Sequence, residues 1–99
     1  MMDIKKENSK GTLTITPTGR LDTTTAPQLD SELKNSLAGI SVLVFDMSCL
    51  EYISSAGLRV LLSAQKTMNK QGKMIVKNVN QSILEVFKVT GFVDILTIE

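Results

Sequence analysis

Residues 42–45 form an unbroken apolar run, Val-Leu-Val-Phe, between two segments whose apolar residues recur at helical spacing. An apolar run without polar alternation is typical of a strand covered on both faces, as strands in parallel sheets are. The segment before it carries Leu29, Leu33 and Leu37, a stripe that predicts an amphipathic helix. Repeated strand–helix–strand units predict an α/β fold in which right-handed crossovers join mostly parallel strands.

The N-terminal part of the chain predicts an antiparallel hairpin. Residues 3–6 can form a short strand, and the polar residues 7–11 end in glycine and predict a turn. Polar and apolar residues alternate over residues 12–16, which indicates a half-buried strand. Pro17 and Gly19 are expected to end this second strand.

Three helices are predicted downstream. The first follows a cap at Thr24 or Thr25 and carries Pro27 in its first turn, where proline is tolerated. The second covers residues 56–70, and the third follows a cap at Asn80 and ends at Gly91.

The remaining segments complete the predicted sheet. Residues 46–53 are interpreted as a connection, and residues 74–76 and 92–98 as two more strands. The expected product is one domain over residues 1–99. It has a four- or five-stranded mixed, mostly parallel sheet, an N-terminal antiparallel hairpin and helices packed on the sheet.

The composition argues against several classes of function. The chain has no histidine, which removes the commonest general base and most zinc sites. It also has no glycine-rich phosphate loop. We therefore expect neither an enzyme nor a protein that binds a metal or a cofactor. Cys49 is the only cysteine, and without a histidine to activate it we interpret it as a small buried residue.

Net charge, aromatic content and the N-terminal residues indicate where the chain acts. The net charge is +1, with three Phe, one Tyr and no Trp, so neither nucleic acid nor a membrane is an expected direct partner. The first nine residues are charged and lack the apolar core of a signal peptide. A single thiol fits a reducing compartment. The sequence therefore predicts a cytoplasmic protein, interpreted as a monomer.

The strongest functional signal lies where the second helix begins. Ser54 and Ser55 precede that helix, and a helix start offers unpaired N–H groups and a partial positive charge that stabilise an anion. A serine there can carry a phosphoryl group at low cost to the fold. The alternative is that either serine only caps the helix.

Three other residues of this stretch each have two interpretations. Gly57 lies in the first helical turn, where glycine is disfavoured, and indicates close approach by a neighbouring strand or by a partner. Arg59 is a solvated helix residue or a contact for a phosphate or a partner carboxylate. Asp46 is a functional group at the carboxyl end of a strand or a residue that binds the backbone of a turn.

Four segments together resemble the STAS domain of bacterial anti-sigma factor antagonists. They read GRLD at 19–22, VLVFDMS at 42–48, YISSAGLRVL at 52–61 and FKVTGF at 87–92. The resemblance covers essentially the whole chain.

This resemblance implies a partner-switching protein. The unphosphorylated form binds an anti-sigma factor that is also a serine kinase with a GHKL-type ATP site, and binding releases the sigma factor. Phosphorylation of Ser55 ends the complex, and a PP2C-type phosphatase restores it. The resemblance places the partner contact at Asp22, the flanking loop at Asp46 and Ser48, and the phosphoacceptor at Ser55. The full set of expected partner-binding residues adds Thr23, Ser54, Gly57 and Arg59.

The physical expectation is that Asp22, Asp46 and phosphorylated Ser55 cluster at one end of the sheet. A dianion beside carboxylates would then repel a partner that fits a neutral hydroxyl. The alternative is a STAS interaction subunit that is not phosphorylated, for example in a transporter complex.

Overall fold

The computed structural model describes residues 2–99, which form five strands, three α-helices and one 3₁₀ helix. In chain order the elements are β1 (Asp3–Ser9), β2 (Thr12–Leu21), α1 (Ala26–Ser36), β3 (Val42–Asp46), β4 (Leu50–Ile53), α2 (Ser55–Gln71), β5 (Lys73–Lys77), α3 (Gln81–Thr90) and the 3₁₀ helix Phe92–Asp94.

The five strands form one mixed sheet. β1 pairs with β2 in antiparallel orientation, and every other pairing is parallel: β2 with β3, β3 with β5, and β2 with β4. The predicted α/β fold with an N-terminal antiparallel hairpin is therefore confirmed, but the predicted turn over residues 7–11 is too long, because residues 7–9 continue β1 and pair with β2. β2 holds two partners in succession on one side, β3 along its first half and β4 at its end.

The predicted end of β2 at Pro17 and Gly19 is wrong, because the strand continues to Leu21. The Gly19 N–H donates to the Cys49 carbonyl at 3.0 Å on the β4 side. Alternation along the strand points the Pro17 nitrogen to that same side. There Pro17 falls between Ile15, the last partner of β3, and Gly19, the first partner of β4. The missing N–H therefore removes no hydrogen bond between β2 and either β3 or β4, and proline is tolerated at this position.

The predicted connection over residues 46–53 contains a strand, β4. Its four residues are too few to show a period, and their exposure follows no alternation. The strand forms because it pairs with the end of β2, where Leu21 lies opposite Ile53. A partner so distant in sequence leaves no local signal.

The predicted strand over residues 92–98 is also wrong. Gly91, at φ 82°, ends α3 and leads directly into the 3₁₀ helix. Only Ile98 then forms a single bridge, parallel to Val76 of β5. Phe92 and Leu96 pack on the core, so burial of apolar side chains, and not strand pairing, decides this segment.

The core lies on one face of the sheet. Leu13, Ile15, Leu43 and Phe45 are at most 3% exposed and form one cluster with buried residues of all three α-helices. The alternate positions of the same strands, such as Thr14 and Val44, are only half-buried. The expectation that residues 42–45 are covered on both faces is therefore wrong. No helix within residues 2–99 combines the length and apolar character that crossing a membrane requires.

Candidate functional site

The junction between β4 and α2 is fixed by backbone hydrogen bonds. The Ser54 N–H donates to the Leu21 carbonyl at 2.9 Å, and the Ser54 carbonyl accepts from the Leu58 N–H at 3.0 Å. β2 and β4 therefore end side by side, and α2 begins at once. Ser55 is the first residue of α2 and is exposed to solvent.

Gly57 allows this junction to form. A Cβ at Gly57 would lie 2.7 Å from Leu21 Cγ and 2.7 Å from Ile53 Cγ1, closer than two non-bonded carbon atoms can approach. Of the two interpretations of Gly57, the structure shows approach by neighbouring strands. Gly57 itself is buried, so it positions Ser55 and presents no side chain to a partner.

The capping interpretation of Ser54 is wrong. Ser54 occupies the N-cap position with extended backbone angles, but its side chain makes no capping hydrogen bond. Its hydroxyl oxygen is inaccessible to solvent and has no hydrogen-bond partner within the described part of the chain. The cap of α3 is different, because Asn80 Oδ1 accepts from the Ile83 N–H at 2.9 Å as predicted.

Ser54→Ala is therefore expected to leave the free energy of unfolding unchanged or to raise it by up to about 1 kcal/mol, because it removes a buried polar atom without a partner. Asn80→Ala is the matched control and should lose about 1 kcal/mol or more, since that cap is made. Urea denaturation of both variants checks the prediction. A loss of about 1 kcal/mol in Ser54→Ala would show that its hydroxyl stabilises the helix.

Asp22 lies at the end of β2, beside this junction, and is held as a carboxylate. Its Oδ1 accepts from the Thr24 hydroxyl at 2.7 Å, the Thr24 N–H at 3.0 Å and the Thr25 N–H at 3.3 Å. These bonds, the Thr24 hydroxyl first, hold the pKa of the Asp22 carboxyl below its usual value. Asp22 is thus a negative charge that directly follows Leu21, the residue whose carbonyl accepts from the Ser54 N–H.

Arg20 is engaged next to Asp22. Its Nε lies 3.9 Å from Asp22 Oδ2, and its guanidinium lies 4.2 Å from the centroid of the Tyr52 ring, within the range of a cation–π contact. Thr24 or Thr25 was predicted to cap α1, but Thr25 at the N-cap position makes no side-chain capping bond, and the Thr24 hydroxyl donates to Asp22 instead. The signal available was an aspartate followed by three threonines, a composition that favours side-chain bonds to a turn.

Asp46 and Ser48 lie elsewhere, and the predicted clustering of Asp46 with Asp22 is wrong. Ile15 of β2 pairs with Phe45 of β3. Asp46 follows Phe45 by one residue and Asp22 follows Ile15 by seven. The difference of six residues is about 20 Å along a strand.

The Asp46 carboxylate has its own partners. Its Oδ1 accepts from Asn78 Nδ2 and from the Ser48 N–H, both at 3.0 Å. The Asn78 bond is the main cause that keeps the pKa of Asp46 below its usual value, with smaller contributions from Ser48 and the charge of Lys77. Asp46, Ser48, Lys77 and Cys49 line a shallow concavity of about 490 Å³. Cys49 is exposed there, so its predicted burial is wrong.

A groove between α1 and α2 adjoins Ser55. It encloses about 470 Å³ and is lined by Thr23, Ala26 and Pro27 near α1 and by Ala56 and Arg59 of α2. Thr23 and Arg59 are both exposed. Of the predicted positions, Thr23 and Arg59 line this groove, and Asp22 and Ser55 are each next in the chain to one of its lining residues, Thr23 and Ala56. No cluster of three metal-ligating side chains occurs within residues 2–99.

Comparison with known proteins gives concordant results. The model of the STAS domain family matches residues 3–99. BtrV of Bordetella bronchiseptica, whose name describes it as a candidate anti-sigma factor antagonist, is 32% identical over an alignment of 99 residues that covers 98% of this chain and 85% of that protein.

Two solved structures share the fold. An anti-sigma factor antagonist from Mycobacterium paratuberculosis superposes with a TM-score of 0.90 at 22% identity, over 99% of this chain and 85% of that one. The Bacillus cell fate determinant SpoIIAA in its phosphorylated form gives a TM-score of 0.77 at 17% identity, over 98% of this chain and 91% of that one.

Proposed function

The chain belongs to the STAS domain family, and from that membership and the geometry around Ser55 we propose that it is an anti-sigma factor antagonist that works by partner switching. The unphosphorylated form binds an anti-sigma factor and so releases a sigma factor. The anti-sigma factor is also the serine kinase, with a GHKL-type ATP site. The protein acts in the cytoplasm as a single domain and is not itself an enzyme.

The observation that carries this proposal is the setting of Ser55. It is exposed at the first residue of α2, where backbone N–H groups and the helix dipole favour an anion. The relatives named as antagonists support the choice of partner, and the solved structure of SpoIIAA in a phosphorylated form supports phosphorylation as the modification.

In the modification step, Ser55 Oγ attacks the γ-phosphorus of ATP in the kinase site. The bond between that phosphorus and the bridging oxygen of ADP breaks, and the hydroxyl proton passes to a base of the kinase. A PP2C-type phosphatase reverses the modification by hydrolysis with water. The phosphoryl group adds a charge of about −1.5 to −2 to a chain whose net charge is +1.

The charge acts where the partner docks. We place the contact surface at Asp22, Thr23, Ser55 and Arg59, with Ser54 and Gly57 setting the position of Ser55 from beneath. Like charges brought together in an interface cost several kcal/mol, so a phosphate beside the Asp22 carboxylate blocks a surface that fits a neutral hydroxyl. Asp46 and Ser48 would belong to the same interface only if the partner extends about 20 Å down the sheet.

Phosphosite mapping tests the proposal. The purified chain is incubated with ATP and each kinase-like protein of its own organism, and peptides are analysed by mass spectrometry. We expect one phosphate on Ser55, its loss in Ser55→Ala and its retention in Ser54→Ala. Phosphate on Ser54, or none from any kinase, would contradict the proposal. The second outcome would favour the alternative of an unphosphorylated interaction subunit, for example of a transporter complex.

A further inference from the structure

Arg59 lies one helical turn after Ser55, on the same face of α2. Residues four apart on a helix have Cβ atoms about 5–6 Å from each other, and both Ser55 and Arg59 are exposed. An acidic group that precedes a basic group by four residues is the favourable order for such a pair. A phosphoryl group on Ser55 would therefore stand within reach of the Arg59 guanidinium.

Arg59 is also free to accept such a partner. It forms no salt bridge with any acidic side chain among residues 2–99. The carboxylate that shares its groove, Asp30, is already bound to Lys34 Nζ at 3.0 Å.

The other positively charged side chains around the junction already have partners. Arg20 is shared between Asp22 and the Tyr52 ring, and Lys34 is paired with Asp30. The Asp22 carboxylate repels a phosphate and cannot bind it. Of the charged side chains described around this junction, Arg59 is the one with a positive charge to offer.

We infer that Arg59 captures the phosphoryl group of Ser55 and is thereby withdrawn from the surface of the α1–α2 groove. This inference rests on the proposed function, because it describes the modified state of the same serine. Guanidinium presents a fixed fork of N–H donors that matches phosphate oxygens. The switch then has two parts: phosphorylation adds negative charge, and it removes an arginine from the surface that the partner contacts.

The experiment needs no kinase. Phosphoserine is incorporated genetically at position 55 of the full chain, and the second pKa of the phosphate is measured by ³¹P NMR titration. Pairing with Arg59 favours the dianion, so the pKa in the otherwise unchanged chain should be lower than in Arg59→Gln by about 0.3 or more. Arg59→Lys, which keeps the charge but loses the fork, should restore part of the difference.

Lys66→Gln is the matched control for charge. Lys66 is exposed on the same helix, and eleven residues of helix place it about 16 Å beyond Ser55, outside the screening length of about 8–10 Å at ordinary salt. Its removal should leave the phosphate pKa unchanged. Equal pKa values in Arg59→Gln and the parent, or equal shifts in both glutamine variants, would overturn the inference.

A second measurement follows Arg59 directly. The Nε–Hε signal of Arg59, assigned by its loss in Arg59→Gln, should move and exchange more slowly with water when phosphoserine replaces Ser55. An unchanged signal would also contradict the capture. Because the phosphate is installed without an enzyme, these results are independent of whether a kinase is found, and failure of the proposed function is distinguishable from failure of this inference.

Discussion

Replacing Ser55 with aspartate is expected to weaken binding of the anti-sigma factor by a hundredfold or more. The substitution places a permanent carboxylate at the start of α2, beside the ionised Asp22. Docking must then bury two neighbouring negative charges, and a hundredfold loss corresponds to about 2.8 kcal/mol. Ser55→Ala, which has neither charge nor bulk, should bind as tightly as the native chain and should resist release by ATP. Isothermal titration calorimetry against the kinase measures both.

Ser82→Asp provides the matched control. Ser82 is exposed at the second residue of α3, so this change puts the same charge at the start of a different helix. Both aspartate variants should keep or slightly raise their thermal stability, because an acidic residue in the first turn is favourable. Tight binding by Ser55→Asp would contradict a block based on charge. Equal weakening by Ser82→Asp would point to a general effect of net charge.

The largest loss of stability is expected from Gly72→Ala. A Cβ at Gly72 would overlap the carbonyl oxygen of Ser41 and lie 2.6 Å from its carbonyl carbon. That carbonyl is held in place because it accepts from the Lys73 N–H at 3.0 Å, where β5 joins β3. Relief of the overlap must therefore separate two core strands, and we expect a loss of about 3 kcal/mol or more. This is a large part of the 5–15 kcal/mol typical of a domain.

Urea denaturation followed by circular dichroism measures this loss, with Gly91→Ala as the control. Gly91 has φ 82° and no heavy atom within 4 Å of an added Cβ, so its replacement incurs only the backbone cost of about 1–2 kcal/mol. Similar losses in the two variants would show that the chain relieves the overlap at Gly72 without separating the strands.

The sequence determined those elements whose signal is local. The apolar run at residues 42–45 placed β3, the helical stripes and the Asn80 cap placed the helices, and the alternation at residues 12–16 placed the hairpin. β4 was not predicted because its partner, the end of β2, is remote in the chain. The segment after Gly91 was misassigned because its apolar residues are buried by packing on the core and not by pairing.

The same distinction explains the site. The start of α2 could be located from local signals to within one residue: Ser55 was expected just before the helix and is its first residue. The distance between Asp22 and Asp46 depends on register. β3 pairs with the first half of β2 and β4 with its end, so Asp46, at the end of β3, lies about 20 Å before Asp22 along the sheet. No local period encodes that offset. The ring of threonine donors around Asp22 likewise depends on a turn whose geometry the composition only suggests.

The pairing of β4 with β2, which are remote in the chain, also has a consequence during synthesis. Residue 54 meets residue 21 through the Ser54–Leu21 hydrogen bond, so the chain must close a long loop before the start of α2 is anchored, and such contacts form slowly. While the ribosome is still making the middle of the chain, Ser55 has neither its helix dipole nor Asp22 beside it. Under the proposed function, a kinase that recognises this surface would act only after residues 21 and 54 have come together, so newly made protein would begin in the unphosphorylated, binding-competent state.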